Sequence, residues 1–185
     1  MQDYCYHIIL AKDESDRVVG GCVFNYFKRS NTGVIEFLAV RNDQQSSGIG
    51  TLLYKHVMWV LSEDAHRVRH TSLDYVCREI DSPEYSRAEI KKYLYFWNKN
   101  NFWRVDFDYV QPALSSDQEP VDGLWFTISP QCSGASEVSS RLVADVLYDY
   151  IKYAMCIDDP DSNSEYQKMA KALLKKKTVG LKRII

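Results

Sequence analysis

The stretch Glu36-Phe37-Leu38-Ala39-Val40-Arg41-Asn42-Asp43-Gln44-Gln45-Ser46-Ser47-Gly48-Ile49-Gly50-Thr51-Leu52-Leu53 changes its period halfway along. Up to Val40 it reads as the end of a strand. A short polar loop follows, and small residues then open a helix. From Ile49 the apolar positions recur at Leu52, Leu53, Val57, Val60 and Leu61, with His56 on the same stripe, which is helical spacing with one buried face. The first turn of a helix carries N–H groups with no intrahelical acceptor. The helix dipole makes that end attractive to anions, and glycines there let a phosphate approach the backbone. No Lys-Ser/Thr pair follows the second glycine, so this is not a Walker loop. The G-x-G-x-x-G dinucleotide fingerprint is absent as well. The pattern is Q-x-x-G-x-G, from Gln45 to Gly50.

Upstream, Tyr4 to Ala11, Arg17 to Lys28 and Gly33 to Val40 read as strands separated by turn-forming segments. Loops that short imply antiparallel hairpins. Downstream, the helix is expected to end in the polar segment Ser62 to Arg67, and a strand follows at Thr71 to Glu79. A helix is predicted over Pro83 to Asn98, with Tyr85, Ile90, Leu94 and Trp97 inward. Trp103 to Val110 reads as a strand, Leu114 to Gly123 as a polar loop and Leu124 to Ile128 as the last strand. After Pro130, Val138, Leu142, Val143, Val146, Leu147, Tyr150, Ile151 and Ala154 form a wide helical stripe. Asp158-Asp159-Pro160-Asp161 breaks it, and a second amphipathic helix covers Glu165 to Lys176. The crossover from Val34 to Val76 brings in a parallel strand pair. The expected class is α/β (α+β), with a mixed, mostly antiparallel sheet flanked by helices and a C-terminal helical tail.

Composition narrows the function. Twenty-three basic and 25 acidic residues in 185 leave a formal net charge of −2, without the basic surplus of a general nucleic-acid binder. No run approaches the roughly 18 apolar residues of a bilayer span, and Met1-Gln2-Asp3-Tyr4 does not begin a signal peptide. Five cysteines, Cys5, Cys22, Cys77, Cys132 and Cys156, contain no C-x-x-C pair. Reduced thiols in a cytoplasmic protein, with no disulfide frame and no structural zinc, account for them.

With Leu-Ala-Val upstream and a long striped helix downstream, the Q-x-x-G-x-G segment resembles the acyl-CoA-binding motif of the GNAT (Gcn5-related N-acetyltransferase) superfamily. The resemblance covers roughly Tyr4 to Ile128. It implies acetyl-CoA as cosubstrate. The backbone of Leu38, Ala39 and Val40 would hold the pantetheine arm, and the amides of Gln45, Ser46, Ser47, Gly48, Ile49, Gly50 and Thr51 would cradle the pyrophosphate. A second stretch, Phe96-Trp97-Asn98-Lys99-Asn100-Asn101-Phe102, is similar to the family's F-Y-x-K-x-G-F pattern. It departs from that pattern at Trp97, where the family often has an acid tyrosine, and at Asn101, where it has glycine. Asparagine tolerates left-handed backbone angles better than most residues. The family's frequent upstream asparagine is here Ile90. Tyr109-Val110-Gln111-Pro112 resembles a bacterial GNAT branch with a Y-V-Q-P segment.

The resemblance implies direct attack of a primary amine on the acetyl thioester, with a base to collect the amine proton and a donor for the oxyanion. Glu36 is the first candidate base, because it shares strand parity with Leu38 and Val40. Asp74, on the next strand, is the alternative. By the same resemblance, the N–H of Val40 would supply the oxyanion contact. Tyr95 lies about 200° from Trp97 on a helical wheel and makes a poor substitute acid, and solvent can protonate a thiolate. His66 and His70 are four apart with no third ligand, so no metal is expected. His56 reads as a core or pocket-edge histidine and Cys77 as a buried structural thiol.

Two domains are expected: 1–130, a GNAT-like acyl-CoA-binding domain, and 131–185, a helical extension with a basic end. The family's opening strand and helices have no counterpart before Tyr4. The sheet edge left behind invites pairing, and a homodimer would cover it. The leading reading is a cytoplasmic N-acetyltransferase acting on a small-molecule or peptide amine, with no membrane and no nucleic-acid partner. The rival reading is a non-catalytic GNAT-like CoA-binding or structural module of a larger protein.

Overall fold

The computed structural model describes residues 3–69, 71–83, 90–115, 117–131, 134 and 136–185. They form two compact units, Met1–Asp74 and Tyr75–Ile185.

The first unit is an antiparallel meander with one helix on its face. Strand β1 (Tyr4–Lys12) pairs with β2 (Val18–Phe27), and β2 pairs with β3 (Thr32–Val40), so Ile8, Val23 and Phe37 lie in one row across the sheet. The first turn closes because the Asp13 carboxylate accepts from the N–H of Ser15 at 2.9 Å and of Arg17 at 3.0 Å. Helix α1 (Ile49–Arg69) buries Leu53, Tyr54, Val57, Leu61 and Ala65. Its start can lie close on β2 because residue 20 is glycine. A Cβ there would meet the Ala39 carbonyl oxygen at 2.9 Å, Leu53 at 3.2 Å and Ile49 at 3.3 Å.

Three expectations change in this unit. The polar segment Ser62 to Arg67 does not end the helix. Asp64 is buried there, pairs with Arg67 one turn on, and meets His7 Nε2 at 2.6 Å, so the polar residues are tied inward and the helix continues. Leu52 is 65% exposed, and His56 is exposed beside the Trp59 ring at 5.3 Å, so neither lies on the buried stripe. On the sheet face opposite α1, Tyr6, Ile8 and Leu10 are all more than half exposed, and β1 pairs only with β2 among the described residues.

The second unit is built on β4 (Tyr75–Asp81) and β6 (Leu124–Pro130), antiparallel over their full length. Strand β5 (Trp103–Val105) pairs with β6 on one side and with β8 (Thr178–Lys182) on the other, and β8 pairs in turn with β7 (Glu137–Ser139). Helices α2 (Ile90–Lys99), α3 (Ser140–Asp149) and α4 (Ser164–Leu173) flank these strands. Ser139 Oγ caps α3 and Asn163 Oδ1 caps α4. A π-helical turn, Tyr150–Ala154, continues α3.

Here β4 begins at Tyr75, not Thr71. The strand expected over Trp103 to Val110 stops at Val105 because the Phe107 N–H turns back onto the Val105 carbonyl at 2.9 Å. That turn carries Phe107 and Tyr109 onto the Phe126 ring. Leu124 to Ile128 is not the last strand. Val138 lies in β7 instead of the helix, and the basic end of the chain forms β8, where Lys182 pairs with Asp106 at 2.7 Å. Tyr85 and Cys132 lie outside the described residues. The class expected from the sequence, an α/β (α+β) fold with mostly antiparallel strands and flanking helices, is the one observed.

Candidate functional site

Between β3 and α1 the chain makes one 3₁₀ turn, Asn42–Gln44, and then passes through two left-handed residues, Ser46 at φ 66° and Gly48 at φ 92°. Left-handed residues in close succession turn neighbouring N–H groups toward a common point, which makes an anion-binding concavity. Leu52 N is the first amide of α1 to bond back along the chain, to the Gly48 carbonyl at 3.0 Å. Among the described residues, none accepts from the amides of Ser46 to Thr51. A Cβ on Gly48 would meet nothing within 4 Å, so the loop is open on that side. No acidic side chain sits in the first turn of α1. Asp43, the nearest carboxylate in sequence, is neutralised by Arg41 at 2.6 Å, and that contact holds its carboxyl below the usual aspartate range.

Strand β3 approaches this loop with a bulge. Val23 pairs with Phe37 and Phe24 with Ile35, which leaves Glu36 as the extra residue. Bulges re-aim the side chains around them, and this one changes a reading made from parity. Ile35 and Leu38 both fall on the α1 face, whereas Glu36 lies on the opposite face, where its carboxylate accepts from Asn25 Nδ2. Glu36 therefore does not share a side with Leu38 and Val40. The Arg41 N–H bonds to the Val19 carbonyl at 2.9 Å. By the alternation of an antiparallel ladder, the polar groups of Ala39 are then spent on Gly21, and those of Leu38 and Val40 point to the other edge of β3.

Asp74 stands elsewhere. It precedes β4, and its carboxylate accepts from Asn31 Nδ2 at 2.9 Å. The same Asn31 accepts from the Tyr26 hydroxyl at 2.8 Å and donates to the Ser72 carbonyl at 2.8 Å. This cluster pins the β2–β3 turn to the segment after α1. Seven residues of strand at roughly 3.3 Å each separate Asn31 from Leu38, roughly 20 Å in all. The structure therefore brings Glu36, Leu38, Val40 and the Gln45–Thr51 loop into one run and leaves Asp74 at the far end of β3. Burial pushes the Tyr26 phenol up to about 12.

In the second unit Trp97 is 1% exposed and is packed edge-on by Phe96 and Phe102. The Arg78 guanidinium lies 3.7 Å over its ring and bonds the Tyr93 hydroxyl at 2.8 Å. Trp97 is thus a platform for a buried arginine. Tyr95 is 60% exposed, and Asn101 has the left-handed angle expected of it, φ 62°. Cys77 is fully buried and burial pushes its thiol up, as suits a structural residue. His66 is exposed on α1, and His70 lies outside the described residues.

Two constellations join residues that no local sequence pattern links. His7 and Asp64 are 57 positions apart and meet only because β1 and α1 pack. Glu79 accepts from the hydroxyls of Tyr109, in the segment after β5, and Tyr150, in the π-helical turn after α3. The one available clue was the Y-V-Q-P segment, which contains two of the residues around Glu79.

Residues 1–79 match the model of the Acetyltransferase (GNAT) family. A GNAT-family protein from Bacteroides thetaiotaomicron superposes with a TM-score of 0.58 at 11% identity, over 85% of this chain and 76% of that one. Tetrahymena GCN5 gives 0.47 at 16% identity, over 70% and 71%. The ribosomal-protein-S18-alanine N-acetyltransferase of Escherichia coli gives 0.47 at 13% identity, over 70% and 72%. No curated protein matches the chain. Residues 1–79 thus carry the sequence pattern of the GNAT acetyltransferase family, and the fold is a GNAT fold. Among the described residues no helix is long and apolar enough to cross a membrane.

Proposed function

We propose that this protein transfers an acetyl group from acetyl-CoA to a primary amine. The observation that carries the reading is the run of amides from Ser46 to Thr51, which open α1 without acceptors of their own and face no carboxylate. Gln45 to Thr51 would hold the CoA pyrophosphate, and the outward N–H and C=O groups of Leu38 and Val40 would hold the pantetheine amides. The neutral amine attacks the thioester carbonyl and its N–C bond forms. The oxyanion is met by the Val40 N–H. The C–S bond then breaks, the CoA thiolate leaves and takes a proton from solvent, and the amine's surplus proton passes to Glu36, directly or through a water. Trp97 has no acid to offer, and a thiol of pKa near 8.5 does not require one.

The same buried Trp97 is what favours the second reading, a CoA-binding module without turnover. Acetyl-CoA at 100 times its dissociation constant should add about 2.7 kcal/mol of stability, read as a rise in melting temperature. No rise sinks both readings. A rise without thioester consumption on a panel of amines leaves the module. The acceptor screen itself is best run with polyamines, amino sugars, lysine peptides and free protein N-termini.

A further inference from the structure

Asn25 stands in the buried end of β2. Phe24, Tyr26 and Phe27 around it are fully covered, and Asn25 itself is 1% exposed. An apolar side chain would fill such a place at no polar cost, whereas a buried amide needs partners for both of its ends. Only one end finds a partner among the described residues. Nδ2 donates to Glu36 Oε1, and Oδ1 meets none. A carboxylate can only accept, so the amide nitrogen is the end that must face it. Asn25 therefore keeps a destabilising orphan oxygen for the sake of one bond, and that bond is to the candidate base.

The bulge in β3 makes the contact possible. In an unbroken ladder Glu36 would share the α1 side with Leu38, among the apolar residues that the helix covers. The extra residue hands it to the opposite face, where it meets Asn25. Bulges are frequent next to active sites because they re-aim a side chain in this way. By strand alternation, that face of the first unit also carries Tyr6, Ile8 and Leu10 of β1, Val23 of β2 and Phe37 of β3. Glu36 and Tyr6 are the groups among these that titrate. The ionisable cluster of His7, Asp64 and Arg67 lies on the α1 side of the sheet.

We infer that Asn25 is a positioning residue for Glu36, its amide fixing one carboxylate oxygen and thereby aiming the other. A hydrogen bond donated to a carboxylate favours the ionised form, which is the form a base needs. It also holds a flexible side chain in one geometry before the reaction begins. The role is catalytic only if the acetyltransferase reading holds. The contact and its effect on the carboxylate stand apart from that reading.

The test follows the Glu36 carboxyl carbon and the Asn25 side-chain amide by NMR across a pH series on the full chain. In the wild type both resonances should move with one midpoint. Asn25→Leu should raise the Glu36 midpoint by about one pH unit, while the melting temperature at neutral pH holds or rises because the orphan oxygen is gone. An unmoved midpoint overturns the inference, and a merely structural asparagine would give that result together with a lower melting temperature. Asn25→Asp should bring two carboxyls into contact and split the Glu36 titration into two separated steps. A single unshifted step also overturns the inference. If Asn25→Leu does not fold, Asn25→Asp and the wild-type resonances decide. Turnover is read as thioester release from acetyl-CoA with spermidine, glucosamine and a lysine peptide. Asn25→Leu should lower kcat by about tenfold to a hundredfold, leave KM for acetyl-CoA unchanged, and move the acidic limb of the pH profile with the NMR midpoint. An unchanged kcat and limb beside an active wild type removes Asn25 from the mechanism and leaves the transferase reading. A wild type that neither binds acetyl-CoA nor turns over, with the two resonances still moving together, overturns the transferase reading and keeps Asn25 as the group that fixes Glu36.

Discussion

Asn25 donates to Glu36 and Asn31 donates to Asp74, but the consequences differ. Asp74 is one of three partners of Asn31, so Asp74→Asn should cost about 1–3 kcal/mol of stability through a disturbed buried polar cluster and leave turnover per folded molecule unchanged. Glu36→Gln should do the reverse. A lost general base lowers kcat by about 10² to 10⁴, while acetyl-CoA affinity measured by calorimetry stays put. Equal kinetic effects of the two variants would count against Glu36 as the base. Trp97 belongs with the structural residues. Removing a fully buried indole that carries Arg78 should cost about 3–5 kcal/mol in Trp97→Ala, seen as a lowered denaturation midpoint.

At the scale of elements, the register of β3 and the opening of α1 act together. Gly20→Val must push Ile49 and Leu53 off the sheet, and with them the amides that α1 presents. Its expected signature is a loss of CoA affinity larger than the loss of affinity for a CoA fragment lacking the pyrophosphate. The strand–loop–helix unit was legible in the sequence because period 2 gives way to period 3.6 at the Gln45–Gly50 motif, and both signals are local. The bulge at Glu36 was not legible, because an extra residue leaves the apolar pattern of β3 intact and shows only against Val23 and Phe24. Strand β5 ended early for a similar reason: Phe107 and Tyr109 alternate as a strand would, but their rings are claimed by Phe126. Strand β8 escaped notice because Thr178 to Lys182 is short, basic and preceded by lysines. Its pairing partners lie about 75 and 40 residues away.

For the whole molecule, Glu79 makes one distinct contribution to the pH dependence of stability. Burial raises its carboxyl above the ordinary 4.5, outweighing the phenol hydrogen bonds that lower it. A carboxyl raised in the folded state stabilises fully below its unfolded value, and that contribution is lost as pH climbs through the folded one. The melting temperature of the wild type minus that of Glu79→Gln should therefore fall as pH rises from about 4.5 and level off once the folded group has ionised. A difference that stays flat with pH would place Glu79 in solvent.

The place of β8 also bears on the order in which the protein is made. Each strand of the first unit pairs with the strand just translated before it, so β1, β2 and β3 can zip together as they leave the ribosome. In the second unit β8 sits between β5 and β7, and both are synthesised well before it. Until Thr178 to Lys182 emerge, β5 has one side unpaired and β7 has no strand to hold it. Non-local pairing of this kind is slow and leaves edges open to aggregation. Nascent chains stalled before Thr178 should thus expose a protease-sensitive second unit behind an already protected first one.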